Sequence, residues 1–456
     1  MTTRKPLDRP NIILINCDDL GYGDLGCYGS TANTTPHLDR MAAEGLRFTS
    51  FCQASSVCSP SRGALMTGCY PQRIGFGLFE GRGVLFPGQG VGLNPSEITM
   101  ARLLKDRGYA TSHLGKWHCG DQPAFLPTNH GFDSYFGIPY SNDMGRQVHW
   151  NNPPLPLLRN GEVVQVQPDQ ASLTERYTDE AVRFVRDHAG EPFFLYLAHM
   201  YVHTPIYAPW RFLKETRNGP YGAAVACVDW SLGVLRHELA RLGIERNTLV
   251  MFTSDNGCRC QMGGTNHPLR GTKGTSWEGG FCVPFLAAWP GTIAPGECAE
   301  LLRSVDLLPT LAGLAGAPAP ADRVIDGENL RAVLVEGRSQ TGDTRTMPYY
   351  WCNRLEAVRR GRWKLHVLRR ELEVCELYDL AADIGEKTNV AKGHPDVVAE
   401  LRRLADGFRK EFGDAAQGAP ISCERPIGRV DNPRPLTKFD PEYPYAVPLY
   451  DLPDCG

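Results

Sequence analysis

The sequence predicts an α/β protein: a mostly parallel sheet sandwiched by helices, followed by a smaller C-terminal α+β subdomain. Three observations carry this expectation. Short, unbroken apolar runs recur at Asn11–Cys17 (NIILINC), Phe193–Ala198 (FFLYLA) and 248–253 (TLVMFT), as expected of strands buried on both faces. Segments with helical spacing lie between them. The texture then changes at Pro318-Ala319-Pro320-Ala321, which reads as a boundary.

The elements follow in order. Thr35 before Pro36 predicts a helix start, and Gly45 its end. Pro60 fits a first helical turn and Gly68 a helix end, which puts Cys58 at a helix N-terminus. Ser96 is expected to cap the next helix, ending near Gly108, before a strand at Ala110–Gly115. Residues 221–242 have helical periodicity. Past the boundary come segments at 347–352 and 357–367 and a helix over Pro395–Phe412. The expected division is a catalytic α/β domain over 1–320, an α+β subdomain over 321–417 and a Pro-rich tail over 418–456 that wraps the surface. No internal repeat is visible.

Composition excludes several classes. The chain has 456 residues, 42% hydrophobic and 22% charged, with a net charge of only -3. No global field favours nucleic acid or an anionic membrane, so neither is an expected partner and any anion site must be built locally. No apolar run approaches the about 20 residues of a spanning helix. The sequence as it stands reads as cytoplasmic, or as periplasmic or secreted had a leader been removed. The 15 cysteines are expected to be mostly reduced and buried, in a chain too large to need disulfide staples. Cys52 lies near Cys58 and Cys258 near Cys260, but neither pair belongs to a repeated C-x-x-C set, so structural zinc is not expected.

In an open α/β sheet, ligands bind at the carboxyl ends of the strands. The first run is followed by Asp18 and Asp19, the strand at 110–115 by Lys116, Trp117 and His118, the third by His199 and His203, the fourth by Asp255 and Asn256. One Asp after a strand is more often a turn or cap residue. Two acidic pairs at two strand ends make an oxygen set suited to a hard cation, calcium or magnesium. Cys58 at a helix N-terminus would face backbone N–H groups that favour an anion. Arg62, one turn later in a buried helix, needs an anionic partner.

The segment Cys58-Ser59-Pro60-Ser61-Arg62-Gly63-Ala64-Leu65-Met66-Thr67-Gly68 resembles the signature C-x-P-S-R-x-x-L-x-T-G of the type I, formylglycine-dependent sulfatases, with every fixed position present. Residues 11–26, Gly115-Lys116-Trp117-His118, Asp255-Asn256-Gly257 and Gly271-Thr272-Lys273-Gly274-Thr275 resemble further motifs of that family, and Gly137-Ile138-Pro139-Tyr140-Ser141 a stretch of its arylsulfatase A-like members. The resemblance spans residues 10–315 well and later ones loosely, among them Glu376-Leu377-Tyr378-Asp379-Leu380.

The resemblance implies the alkaline phosphatase-like fold and a sulfuric ester hydrolase. It implies that Cys58 becomes formylglycine through a maturation enzyme, its hydrate supplying the nucleophile. Ca²⁺ would be held by Asp18, Asp19, Asp255, Asn256 and an oxygen of residue 58. Asp255 would deprotonate the hydrate and Arg62 would stabilise it. Lys116, His203, Lys273 and Ser141 would bind the sulfate, with His203 and Lys273 nearest the leaving group. His118 would drive breakdown of the sulfated intermediate. The substrate implied is a small-molecule or oligosaccharide sulfate, as for arylsulfatases and galactosamine-sulfate sulfatases. Competing readings are a formylglycine-dependent phosphonate monoester hydrolase or phosphodiesterase, and a sulfoglycan-binding protein with a decayed site, although no proposed catalytic position is missing. His113, His130 and His199 are expected to serve packing or hydrogen bonding, Trp117 to support its neighbours, and Cys258 and Cys260 to be thiols at the pocket rim.

Overall fold

Within Asn11–Cys17 the stretch from Ile12 to Ile15 is unbroken in its apolar character because its alternate residues enter two different cores. Ile13, Ile15 and Cys17 pack on one side of the sheet, Ile12 and Leu14 on the other. The runs at 193–198 and 248–254 divide in the same way. A strand facing water on one side would alternate with polar residues instead.

This arrangement comes from a computed structural model, which describes residues 9–146, 152–336, 344–421 and 425–442. The main sheet contains β1 (Asn11–Cys17), β2 (Leu46–Phe48), β3 (Ala110–Gly115), β4 (Ser134–Gly137), β5 (Pro156–Arg159), β6 (Glu162–Val166), β7 (Phe193–Ala198), β8 (Thr248–Ser254), β9 (Phe285–Ala288) and β10 (Gly296–Cys298). These ten strands run in the order β10-β2-β9-β8-β1-β7-β3-β4-β5-β6. The centre, β8-β1-β7-β3-β4, is parallel, and antiparallel strands flank it. One face is covered by α1 (Pro36–Glu44), the other by α2 (Cys58–Thr67) and α3 (Met100–Lys105). Next in the chain, α4 (Leu173–Asp187) and α5 (Gly219–Leu242) join α1, and α6 (Leu307–Leu314) joins α2. The result is the expected three-layered α/β unit.

The register decides where chemistry can be placed. Cys17 pairs with Ser254, Asn16 with Ala198, and Gly115 with Ala198, so four neighbouring parallel strands end level. Gly115 is required at this edge: its φ is 100°, and a Cβ there would stand 1.8 Å from the Ala198 carbonyl oxygen.

A second sheet of four antiparallel strands follows: β11 (Thr346–Trp351), β12 (Arg354–Arg360), β13 (Trp363–Arg369) and β14 (Leu372–Asp379). The amphipathic α7 (Pro395–Phe412) packs on it through Leu401, Ala405 and Phe412. Buried Glu278 of the main unit pairs with Lys364 at 2.8 Å and Arg359 at 2.7 Å, and accepts a hydrogen bond from Tyr349 at 2.6 Å. In the tail, Gly428–Arg429 pairs antiparallel with Val91–Gly92. Residues 422–424 and 443–456 of the tail lie outside the described residues.

Three expectations are corrected. The helix before β3 is capped by Thr99, whose hydroxyl accepts from Arg102 N at 3.1 Å; Ser96 instead closes a local turn with Asn94. The segment 357–367 is not one strand but a hairpin, broken at Gly361 with φ 52°. Not every cysteine expected to be free is so: buried Cys52 and Cys282 form a disulfide across a separation of 230 residues.

Candidate active site

The level strand ends and the N-terminus of α2 meet at one point. Helix α2 is buried along its whole length and begins at Cys58; it stops at Gly68, whose φ of 68° lets its N–H turn back to the Ala64 carbonyl. Cys58 Sγ marks where an oxygen of formylglycine would stand, and it lies 3.4 Å from Asp18 Oδ1. Asp18, Asp19, Cys58 and His203 offer ligand atoms all within 4.8 Å of one another.

Asp255 and Asn256 complete the acidic face. Asp255 Oδ1 accepts from Asp19 N at 3.2 Å, and Asn256 Nδ2 donates to Asp19 Oδ1 at 2.7 Å. Asp19 itself holds a φ of 60°, a left-handed turn that brings it back beside Asp255. Asn256 Oδ1 is buried and accepts no hydrogen bond from the protein. An orphaned amide oxygen among three carboxylates fits a hard, oxygen-seeking cation.

Cations close the site from the other side. Arg62 Nε and Nη2 each lie 2.8 Å from Asp255 Oδ2, Nη2 lies 3.5 Å from Asp18 Oδ2, and Nη1 donates to the Lys116 carbonyl at 3.0 Å. Lys116 Nζ pairs with Asp18 Oδ2 and donates to Ser141 Oγ at 3.0 Å. Lys273 Nζ donates to Asp19 Oδ2 at 2.9 Å. All these side chains are buried. Burial by itself would raise Asp18, but Lys116, His203 and Arg62 more than offset it and hold its carboxyl well below the usual range. Burial raises Asp255 to about 6 against the pull of Arg62.

The two histidines are oriented differently. His118 sits at φ 58° and places Nε2 2.9 Å from the Leu85 carbonyl. A carbonyl only accepts, so Nε2 carries the hydrogen and the buried Nδ1, which has no protein partner, keeps its lone pair. Burial, then the charge of Lys116, pushes His118 well below an ordinary imidazole. His203 Nδ1 faces two acceptors, Asn142 Oδ1 at 3.1 Å and the Thr204 carbonyl, so its hydrogen is fixed there. Its Nε2 lies 3.8 Å from Asp19 Oδ2, and Ser141 Oγ is 3.4 Å from the ring. Burial and then Lys273 lower this histidine too.

The other histidines stand apart. His113 stacks on Tyr135 and Tyr196, and His130 packs against Trp117. His199 is fully buried with neither ring nitrogen bonded, and burial pushes it down to about 3. Cys258 is buried and Cys260 exposed.

Four supporting residues escaped the sequence reading. Ser59 Oγ accepts from Leu85 N at 3.0 Å, which fixes the carbonyl that orients His118. Ser61 Oγ donates to the Asp255 carbonyl and lies 3.1 Å from the Gln53 side-chain amide. Asn142 is held by donating to Pro205 O and Gln170 Oε1 while it positions His203. Trp351, at the end of β11, reaches the rim: its ring lies 3.5 Å from where a Cβ on Gly274 would stand and 3.9 Å from one on Gly83. Ser59 and Ser61 lay inside a legible motif but in positions whose roles only the fold assigns; Asn142 and Trp351 lie in no spacing pattern.

Residues 10–317 match the family model described as Sulfatase, and residues 272–410 that described as N-sulphoglucosamine sulphohydrolase, C-terminal. The chain is 40% identical over 444 residues to arylsulfatase A of Homo sapiens, covering 87% of each. It is 42% identical over 377 residues to N-acetylgalactosamine-6-sulfatase of Rattus norvegicus, covering 78% of this chain and 71% of that one. Among solved structures it superposes on Ps i-CgsB in complex with k-i-k-neocarrahexaose with a TM-score of 0.79 at 32% identity, covering 88% of this chain and 92% of the other. A phosphonate monoester hydrolase of Agrobacterium radiobacter, at 19% identity and a TM-score of 0.64, shares the fold.

Proposed function

The chain belongs to the sulfatase family of sulfuric ester hydrolases, and from that premise we propose that it hydrolyses a sulfate monoester carried on a carbohydrate, using Ca²⁺ and a formylglycine at position 58. The observation that carries this reading is the charge balance at the strand ends. Asp18, Asp19 and Asp255 face Arg62, Lys116 and Lys273, three charges against three. A divalent cation would leave the site doubly positive and so suited to an anionic ester, and passage of the proton of residue 58 to Asp255 stays within the site and leaves that balance unchanged. Phosphate monoester dianions commonly recruit a further metal, and among the described residues no second carboxylate and histidine cluster at these strand ends offers one. The carbohydrate names borne by the N-acetylgalactosamine-6-sulfatase relative and by the k-i-k-neocarrahexaose complex support a sugar substrate.

Asp18, Asp19, Asp255 and Asn256 would hold the calcium ion beside residue 58, where it would draw charge from sulfate and nucleophile oxygens. Formylglycine hydrate would supply one hydroxyl as nucleophile and a second whose collapse to the aldehyde releases sulfate, which no thiol can do. Arg62 and Asp255 then orient residue 58, with Asp255 placed to take its proton. Lys116 and Lys273 would bind the sulfate oxygens, with Ser141 accepting from Lys116 and fixing it. His118 presents the lone pair of Nδ1, as a base must. His203, with its Nδ1 hydrogen already committed, can donate from Nε2 only as an imidazolium, so a bound anion must recruit the proton that assists the leaving group. Burial of every one of these groups strengthens each interaction.

Two measurements test the reading. Peptide mass spectrometry across Cys58 should show at least partial conversion to formylglycine in protein from a host that matures sulfatases. One aryl leaving group attached to sulfate, phosphate monoester, phosphate diester and phosphonate should show the highest kcat/KM for sulfate, with sulfated sugars turned over in a parallel panel. An active preparation carrying only the unmodified thiol, or preference for the diester or phosphonate, refutes the proposal.

A further inference from the structure

The loop that leaves the metal face carries a pair of thiols that catalysis does not use. Cys258 Sγ and Cys260 Sγ are 3.2 Å apart, closer than two unbonded sulfurs usually approach. Cys258 is 1% exposed, whereas Cys260 is open to solvent at φ 63°. One sulfur is therefore reachable by a small molecule and the other is already in place to resolve it.

The pair is tied to the catalytic machinery through backbone. The Cys258 carbonyl accepts from Lys273 N at 3.1 Å. Asn266 binds the whole corner together: Oδ1 accepts from Cys258 N at 3.0 Å, and Nδ2 donates to the Cys258 and Gly271 carbonyls at 3.0 Å each and lies 3.3 Å from Cys260 Sγ. A movement of Cys258 is thus passed to the turn that presents Lys273 to Asp19.

We propose that Cys258 and Cys260 are a redox modification site, converted to a disulfide by exchange with a low-molecular-weight disulfide, and that this bond displaces Lys273 and weakens the sulfate site. Cys260, as thiolate, attacks one sulfur of the incoming disulfide and expels one thiolate. Cys258 then attacks Cys260 Sγ and expels the second. One protein S–S bond forms, one small-molecule S–S bond breaks, and the two thiol protons pass to the two released thiolates. The protein loses two electrons and the small disulfide gains them. The sulfurs must close from 3.2 Å to about 2.05 Å, a pull that Cys258 transmits to Lys273 N.

Trypsin cuts after Arg259, between the two cysteines, so the disulfide would join peptides 247–259 and 260–270, each of which holds a single cysteine. Holoenzyme incubated with glutathione disulfide should yield the joined peptide, lose roughly tenfold in kcat/KM for an aryl sulfate, and bind inorganic sulfate more weakly by calorimetry. Dithiothreitol should reverse all three. Cys260→Ser should keep the basal activity and show none of the three changes. Peptides that stay separate overturn the proposal. So does a joined peptide with unchanged kinetics and sulfate affinity, or an equal loss in Cys260→Ser, which would assign the effect to another thiol. The kinetic arm rests on the sulfatase reading; if reduced, formylglycine-bearing protein turns over no sulfate ester, that reading fails and the peptide and sulfate-binding arms decide the proposal alone.

Discussion

At the scale of single residues, the site is governed by which hydrogen goes where. His203 has its Nδ1 hydrogen locked by Asn142 and Thr204, so the role proposed for it needs a proton on Nε2. Replacing it with Gln should cost about 10²–10⁴-fold on sugar sulfates, whose alkoxides leave badly. The loss should be smaller on nitrophenyl sulfate, and equal losses on both would remove the role. The three-against-three charge balance makes a second prediction. Stripping the cation with EGTA should abolish turnover but leave the circular dichroism spectrum intact, because Lys116 and Lys273 already neutralise Asp18 and Asp19. Full activity in EGTA, or restoration by zinc and not by calcium, would exclude the calcium assignment. Most of these residues were legible because they follow apolar runs or sit in a dense signature. Asn142 was not, since its role depends on a carbonyl and an imidazole about 60 positions away in the chain.

At the scale of elements, the strands inside the sheet were readable because two-sided burial leaves unbroken apolar stretches in them, such as Ile12 to Ile15 and Phe193 to Ala198. The C-terminal sheet was less so. Its strands carry interface charges such as Arg359 and Lys364 that look like surface residues until Glu278 is placed against them. Likewise Thr99 and Ser96 are equally good caps by composition, and only the fold chooses between them. Glu278 is the joint between the two sheets. Burial would raise its pKa, but Lys364 and Arg359 take it from an ordinary 4.5 down to about 2. Its contribution to stability is therefore complete above pH 4.5 and drains away as the pH falls from there towards 2. Glu278→Gln should destabilise the protein by about 3–5 kcal/mol at neutral pH, since it leaves two buried cations short of a partner. The deficit relative to the parent should shrink on acidification in that window. A denaturant midpoint within error of the parent at pH 7 would show that the joint contributes nothing.

At the scale of the molecule, the second sheet reaches back to the catalytic edge of the first. Trp351 leans over Gly274, beside Lys273, and over Gly83, near the Leu85 carbonyl that orients His118. A large aromatic surface at the mouth of a polar site is well suited to a bulky substrate. Trp351→Ala should raise KM more for a sulfated oligosaccharide than for a small aryl sulfate, and an equal change in both would restrict the ring to packing. The depth of Cys58 also sets a timetable. It is 1% exposed, inside a helix that is buried end to end, beneath a sheet whose central strand β8 is made long after it. Any enzyme that modifies this cysteine needs it extended and in reach, so its chance lasts only until β8 has emerged from the ribosome and docked beside β1. For the conversion of Cys58 proposed above, folding would then be a deadline. Conditions that hurry folding would leave behind a well-formed but inert population, and slowing synthesis between α2 and β8 would enlarge the active fraction without altering a single residue.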